Sequence, residues 1–232
     1  MTTTLSPPGR NTTAALLAVQ GLLLVVPTIV LGNAIGWPAS LEDPAAVALP
    51  RLLEQEGTVR WGYLAYLAYS VLFLPVGIWT TRLLTGGADT ALVRLAIGFA
   101  VASTLARCIG ISRWLTTMPD LARAYAAAPE EARATIAVQY QALNDFGGGI
   151  GEALGVSLFA AAWLACTVAA AARTGVAPGW LLAGGAVTAV AVATPLVELL
   201  DVDAGLLTTV GTSVLQVWFL TAAVVLARRP SR

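Results

Sequence analysis

The chain contains no histidine and no lysine; all 13 of its basic residues are arginine. Without imidazole there is no histidine metal site, no histidine-ligated haem, no Ser-His or Cys-His pair and no di-iron cluster built on histidine. Charge of either sign is scarce, at 11% of residues against roughly 25% in soluble domains. Only two cysteines occur, Cys108 and Cys166. Both lie in apolar stretches without CxxC spacing, and they read as small core residues rather than a redox pair. Net charge is zero and no basic cluster exists, which removes nucleic acid as a partner. Gly-rich phosphate loops and a nucleophile elbow are missing too. No cofactor and no metal is expected.

What remains is apolar length. Hydrophobic residues make up 57% of the chain and mean hydropathy is +0.78. A span of the bilayer core needs about 20 apolar residues, so 232 residues suit about six spans. The fold class is therefore all-α, an integral membrane bundle. The runs fall near 13–36, 58–82, 91–119, 148–172, 178–198 and 205–227. They form one transmembrane domain, 13–228, between a disordered tail at 1–12 and a short tail at 229–232. The first run exceeds the roughly 7–15 residues of a signal-peptide core, and no small-x-small cleavage site follows, so it reads as a retained helix.

Connections carry their own signals. Residues 37–57 hold Glu42, Asp43, Arg51, Glu54 and Glu56 and read as an acidic loop with one short helix. Gly86-Gly87-Ala88-Asp89 is a turn. Pro129-Glu130-Glu131 marks a helix start, with proline in the first turn and acids at the positive end of the dipole. Ile136, Tyr140 and Leu143 then share one face, which predicts a surface helix leading into the fourth span.

Arginine asymmetry sets orientation. Placing both termini in the cytoplasm puts Arg10, Arg82, Arg94, Arg173, Arg228, Arg229 and Arg232 inside. Only Arg51, Arg60, Arg123 and Arg133 fall outside. Most acids, including Asp201 and Asp203, fall outside as well. N-in, C-in is the expectation, in a bacterial inner membrane given the alanine- and arginine-rich composition.

Against that background, charges within the spans stand out, because an ionisable group in lipid is expensive and marks a site by default. Arg107 lies 13 residues from Arg94 and 12 from Pro119, which places it near mid-membrane at about 1.5 Å per residue. Arg113 points about 120° away on the same helix, nearer the outer surface. Glu152 sits about one turn into the fourth span, beside Gly147, Gly151 and Gly155. That four-residue spacing of small residues is a packing seam. Arg107 and Glu152 are expected to meet directly or across one water, with Arg113 as the competing partner. The plain alternative for Arg107 is an ion pair that only fixes packing. Tyr63 and Tyr66 on the second span, Trp114 on the third, and Asn144 and Asp145 before the fourth are the further ligand-facing candidates. Gln216 joins them from a polar face of the sixth span that also suits interhelical hydrogen bonding. Glu198, after Thr194-Pro195, ends the fifth span.

Two segments carry a resemblance. Arg113-Trp114-Leu-Thr-Thr-Met118-Pro119-Asp120-Leu-Ala-Arg123-Ala-Tyr125 is the first, and Asn144-Asp145-Phe-Gly-Gly-Gly-Ile-Gly-Glu152-Ala-Leu-Gly155 the second. Through them the chain resembles a bacterial membrane-protein family catalogued as domain of unknown function four-three-eight-six. The resemblance implies six membrane helices and brings no assigned reaction.

Three functions compete. In the first, an outward-facing polar pocket binds a small or amphiphilic ligand, with Arg107 on its anionic group. In the second, a membrane-embedded enzyme acts on a lipid or isoprenoid, with Glu152 or Glu198 as general acid and ring faces steadying positive charge. In the third, the charges specify assembly, as a homo-oligomer or with a membrane partner.

Overall fold

A computed structural model of the protein describes residues 9–200, 202 and 205–228. The expected tails therefore lie largely outside the described residues, as do Asp201, Asp203, Arg229 and Arg232. Among the described residues the chain is helical, with no strand. Six helices are long and apolar enough to cross a membrane: Arg10–Ile35, Glu56–Leu84, Ala91–Ala127, Glu130–Thr174, Gly179–Leu200 and Leu206–Arg228. The chain is a multi-pass membrane protein.

Prolines and glycines explain where these helices break. Helix α1 (Arg10–Leu23) stops just before α2 (Val25–Ile35). Pro27 has no N–H to offer the Leu23 carbonyl, and its ring crowds that carbonyl. The connection expected to hold one short helix holds two, a 3₁₀ turn at Ala39–Glu42 and α3 (Ala45–Glu54). Helix α4 (Glu56–Leu84) runs unbroken through Pro75. Gly86 and Gly87, both at positive φ, make the turn into α5 (Ala91–Leu115). After α6 (Thr117–Ala127), Pro129 caps α7 (Glu130–Gly148). No loop separates α7 from the next run. The helix continues as an eleven-residue π-helix, Gly149–Phe159, and then as α8 (Ala160–Thr174). Helix α9 (Gly179–Ala193) tightens into a 3₁₀ turn at Thr194–Leu200 around Pro195, and α10 (Gly205–Arg228) closes the chain.

The chain divides into two compact units, and α4, α5 and the π-helix run through both. The first unit comprises the chain up to Leu22, Leu72–Ser103, and the chain from Ser157 on. Its centre is Trp163, fully buried. Phe73 meets its ring edge-on at 5.0 Å, and Phe219 and Trp218 stand 6.1 Å away. The Trp163 indole N–H donates to the Gly77 carbonyl (3.2 Å) and to Thr81 Oγ1 (3.1 Å). Thr81 in turn bonds Thr167 at 2.8 Å. Lipid supplies no hydrophobic drive between helices, so close packing and such interhelical hydrogen bonds hold the unit together.

The second unit comprises Leu23–Val71 and Thr104–Val156. Leu31, Leu49, Leu52, Val59, Ile111, Trp114, Met118 and Tyr140 form its buried core. Its exposed rim is laced by ion pairs: Arg51–Asp43, Arg60–Glu56, Arg123 with Glu56 and Asp120, and Arg133–Glu130.

Candidate functional site

The second unit contains a cleft lined by Trp37, Leu41, Tyr63, Tyr66, Arg107, Gly110, Ile111, Arg113, Trp114, Gly151 and Glu152. Four stretches build it. The turn after α2 brings Trp37 and Leu41, and the first half of α4 brings the two tyrosines. The second half of α5 brings both arginines, and the π-helix brings Gly151 and Glu152. The cavity volume is about 20 Å³, room for one water molecule.

Both guanidiniums are withdrawn from solvent: Arg107 is 2% and Arg113 8% exposed. Missing side chains make this possible. Gly147, Gly151 and Gly155 lie along α5, and each hydrogen in place of a Cβ vacates space for a neighbour. A β-carbon at Gly155 would stand 3.0 Å from Arg107 Cγ, and one at Gly147 would collide with the Arg113 side chain. Between them, Gly151 meets the Gly110 backbone. The seam thus does two jobs, close packing and the seating of two long cationic side chains.

Arg113 Nη2 stands 3.8 Å from Glu152 Oε1, an ion pair beyond hydrogen-bond length. The same Nη2 donates to Asn144 Oδ1 at 3.4 Å. Asn144 itself is anchored, its Nδ2 donating to the Leu41 carbonyl at 2.7 Å. The Arg113 guanidinium carbon also lies 5.6 Å from the Trp114 ring centroid. Trp114 stacks on Tyr63 at 5.1 Å with ring planes 6° apart. The Arg107 guanidinium carbon is 5.9 Å from the Tyr69 ring, within cation–π range. Tyr66 meets Trp37 edge-on at 5.6 Å. Glu152, at 44% side-chain exposure, marks the open side of the cleft.

Seven of the sequence candidates come together here: Arg107, Glu152, Arg113, Trp114, Tyr63 and Tyr66 on the cleft wall, and Asn144 behind it. Asp145 does not join them; it is exposed and accepts a hydrogen bond from Gln141 at 2.7 Å. Glu198, exposed on its 3₁₀ turn, and Gln216, on α10, belong to the first unit. Two lining residues, Trp37 and Leu41, were not foreseen. Trp37 lies in the turn after α2 and Leu41 on the single 3₁₀ turn that follows, too short for any periodicity to announce which way a side chain faces.

Chemically the cleft offers two fixed cations, one carboxylate, aromatic faces and a buried phenol, a set suited to holding an anion. Among the described residues no group of His, Cys, Asp or Glu is arranged to hold a metal ion. No curated protein and no solved structure matches the chain. The family described as "Domain of unknown function (DUF4386)" matches residues 14–223, a range that includes both motifs and every residue of the cleft, and the chain belongs to that family.

Proposed function

We propose that this protein binds a small or amphiphilic anion in the cleft of its second unit, as a carrier, sensor or accessory subunit of a bacterial inner membrane. One observation carries the reading: two buried guanidiniums line a cleft whose lining holds one carboxylate, Glu152. However Glu152 divides itself between Arg107 and Arg113, the lining sums to one positive charge. Burying net charge in a low-dielectric interior is costly, and an anionic ligand offsets it. Trp37, Leu41, Ile111 and Trp114 offer an apolar body somewhere to rest.

The same reading orients the chain with both termini in the cytoplasm and the cleft in the outer half of the bilayer. The four arginines assigned to the outer side all form ion pairs with carboxylates. Arg10, Arg82, Arg94, Arg173 and Arg228 on the other side outnumber them, and the count of arginines is what sets topology.

The test is a ligand titration of the protein in lipid nanodiscs, read as melting temperature. Decanoate and decyl phosphate carry one chain with anionic heads, and decyltrimethylammonium carries the same chain with a cationic one. Saturation at about 100 Kd should raise the melting point on the order of 5–10 °C for a bound anion. A cation that stabilises as strongly as the anions would sink the proposal.

A further inference from the structure

We infer that the anion is a monocarboxylate and that the Tyr63 hydroxyl helps to bind it; this rests on the reading of the cleft as an anion site. Charge, size and hydrogen bonding each narrow the choice. The lining holds two buried guanidiniums, Arg107 and Arg113, and the half-exposed Glu152, a formal charge of +1 that one negative charge balances. A phosphate monoester, close to a dianion at pH 8, would overshoot that formal charge. A flat two-oxygen head asks a cleft of about 20 Å³ to open less than a tetrahedral one does.

The hydroxyl supplies the independent observation. Tyr63 is 1% exposed and lines the cleft, yet its hydroxyl has no hydrogen-bond partner among the described residues. Buried polar groups are nearly always satisfied, and one that is not points to a water or a ligand. Its ring stacks in parallel on that of Trp114, another residue of the lining. A carboxylate oxygen seated between the guanidiniums would accept from it.

The experiment compares decanoate, decyl phosphate and acetate at pH 8 on the intact protein in nanodiscs. Decanoate should half-saturate the melting shift at a concentration at least tenfold below that of decyl phosphate, the scale of a charge-assisted hydrogen bond. Stabilisation by acetate would assign the site to a small free carboxylate. Stabilisation by decanoate without acetate would assign it to a carboxylate-headed lipid. Either result upholds the monocarboxylate. Equal or tighter binding of decyl phosphate overturns it and leaves the anion site standing, whereas no binding of either long-chain anion removes that site altogether. Tyr63→Phe keeps the stacked ring and removes only the hydroxyl. It should weaken decanoate about tenfold, and an unchanged titration would remove Tyr63 from the binding set.

Discussion

Gly110 and Gly151 touch backbone to backbone: a β-carbon on Gly110 would stand 2.7 Å from the Gly151 α-carbon. On its other side that carbon would meet the Gly147 carbonyl oxygen at 2.8 Å. Neither neighbour is a flexible side-chain end that could swing aside, so α5 and the π-helix are locked at the separation that two hydrogens allow.

Gly110→Ala should therefore destabilise the protein by about 1–3 kcal/mol, the usual scale of overpacking, and Gly151→Leu by more. Gly98→Ala is the control on the same helix. Its Cβ would meet nothing within 4 Å, so helix propensity alone should leave it neutral or up to about 1 kcal/mol more stable. Melting curves in one detergent decide it. Equal melting points for Gly110→Ala and Gly98→Ala would show that the contact can open.

The polar spine behind the cleft makes a separate prediction. Asn144 is 6% exposed and joins Arg113 to the Leu41 carbonyl. Asn144→Leu should cost about 1–3 kcal/mol, since it strands the part-buried Leu41 carbonyl and half-strips a buried guanidinium. Asn144→Gln should not restore it, because the longer amide misses the 2.7 Å contact. If Asn144→Leu melts like the parent, the spine is not holding the turn after α2.

For the ion pair, a double-mutant cycle is the measurement. Breaking a buried pair costs about 3–5 kcal/mol; here the half-exposed Glu152 is screened, so about 1–3 kcal/mol is expected. Arg113→Leu and Glu152→Leu should each destabilise, and the double variant should recover part of the loss. The parallel cycle with Arg107→Leu tells whether Glu152 is shared. Strict additivity in both cycles would mean that Glu152 steadies neither cation.

Topology is checked by labelling. In a background with Cys108 and Cys166 replaced by alanine, Gly57→Cys should react with an impermeant maleimide in intact cells and Thr90→Cys should not. Both positions are exposed, so accessibility within the protein is equal and only the side of the membrane differs. Labelling of Thr90→Cys alone would invert the orientation.

Much of this architecture was written in local pattern. Hydropathy averaged over a span survives single errors, and so the six long helices were legible. Pro129-Glu130-Glu131 and Gly86-Gly87 act within a few residues of themselves, so their helix start and turn were legible too. The π-helix was not, because its register depends on what Gly151 and Gly155 meet on α5 rather than on their neighbours in sequence. Arg113 illustrates the same limit. A point about 120° from Arg107 left it only as the competing partner of Glu152 nearer the outer surface, yet Gly147 leaves room for its side chain to fold into the cleft. The Asn144–Leu41 bond joins positions 103 residues apart and has no local signature at all.

The glycine seam also bears on how such a chain can drift. Where two backbones meet, a larger residue at Gly110 runs into the Gly151 α-carbon, and one at Gly151 asks Gly110 to give by a few tenths of an ångström. Gly110 and Gly151 therefore form a lock on substitution. A homologue that enlarges Gly110 is expected to hold these two helices farther apart, and with them the arginines of the cleft.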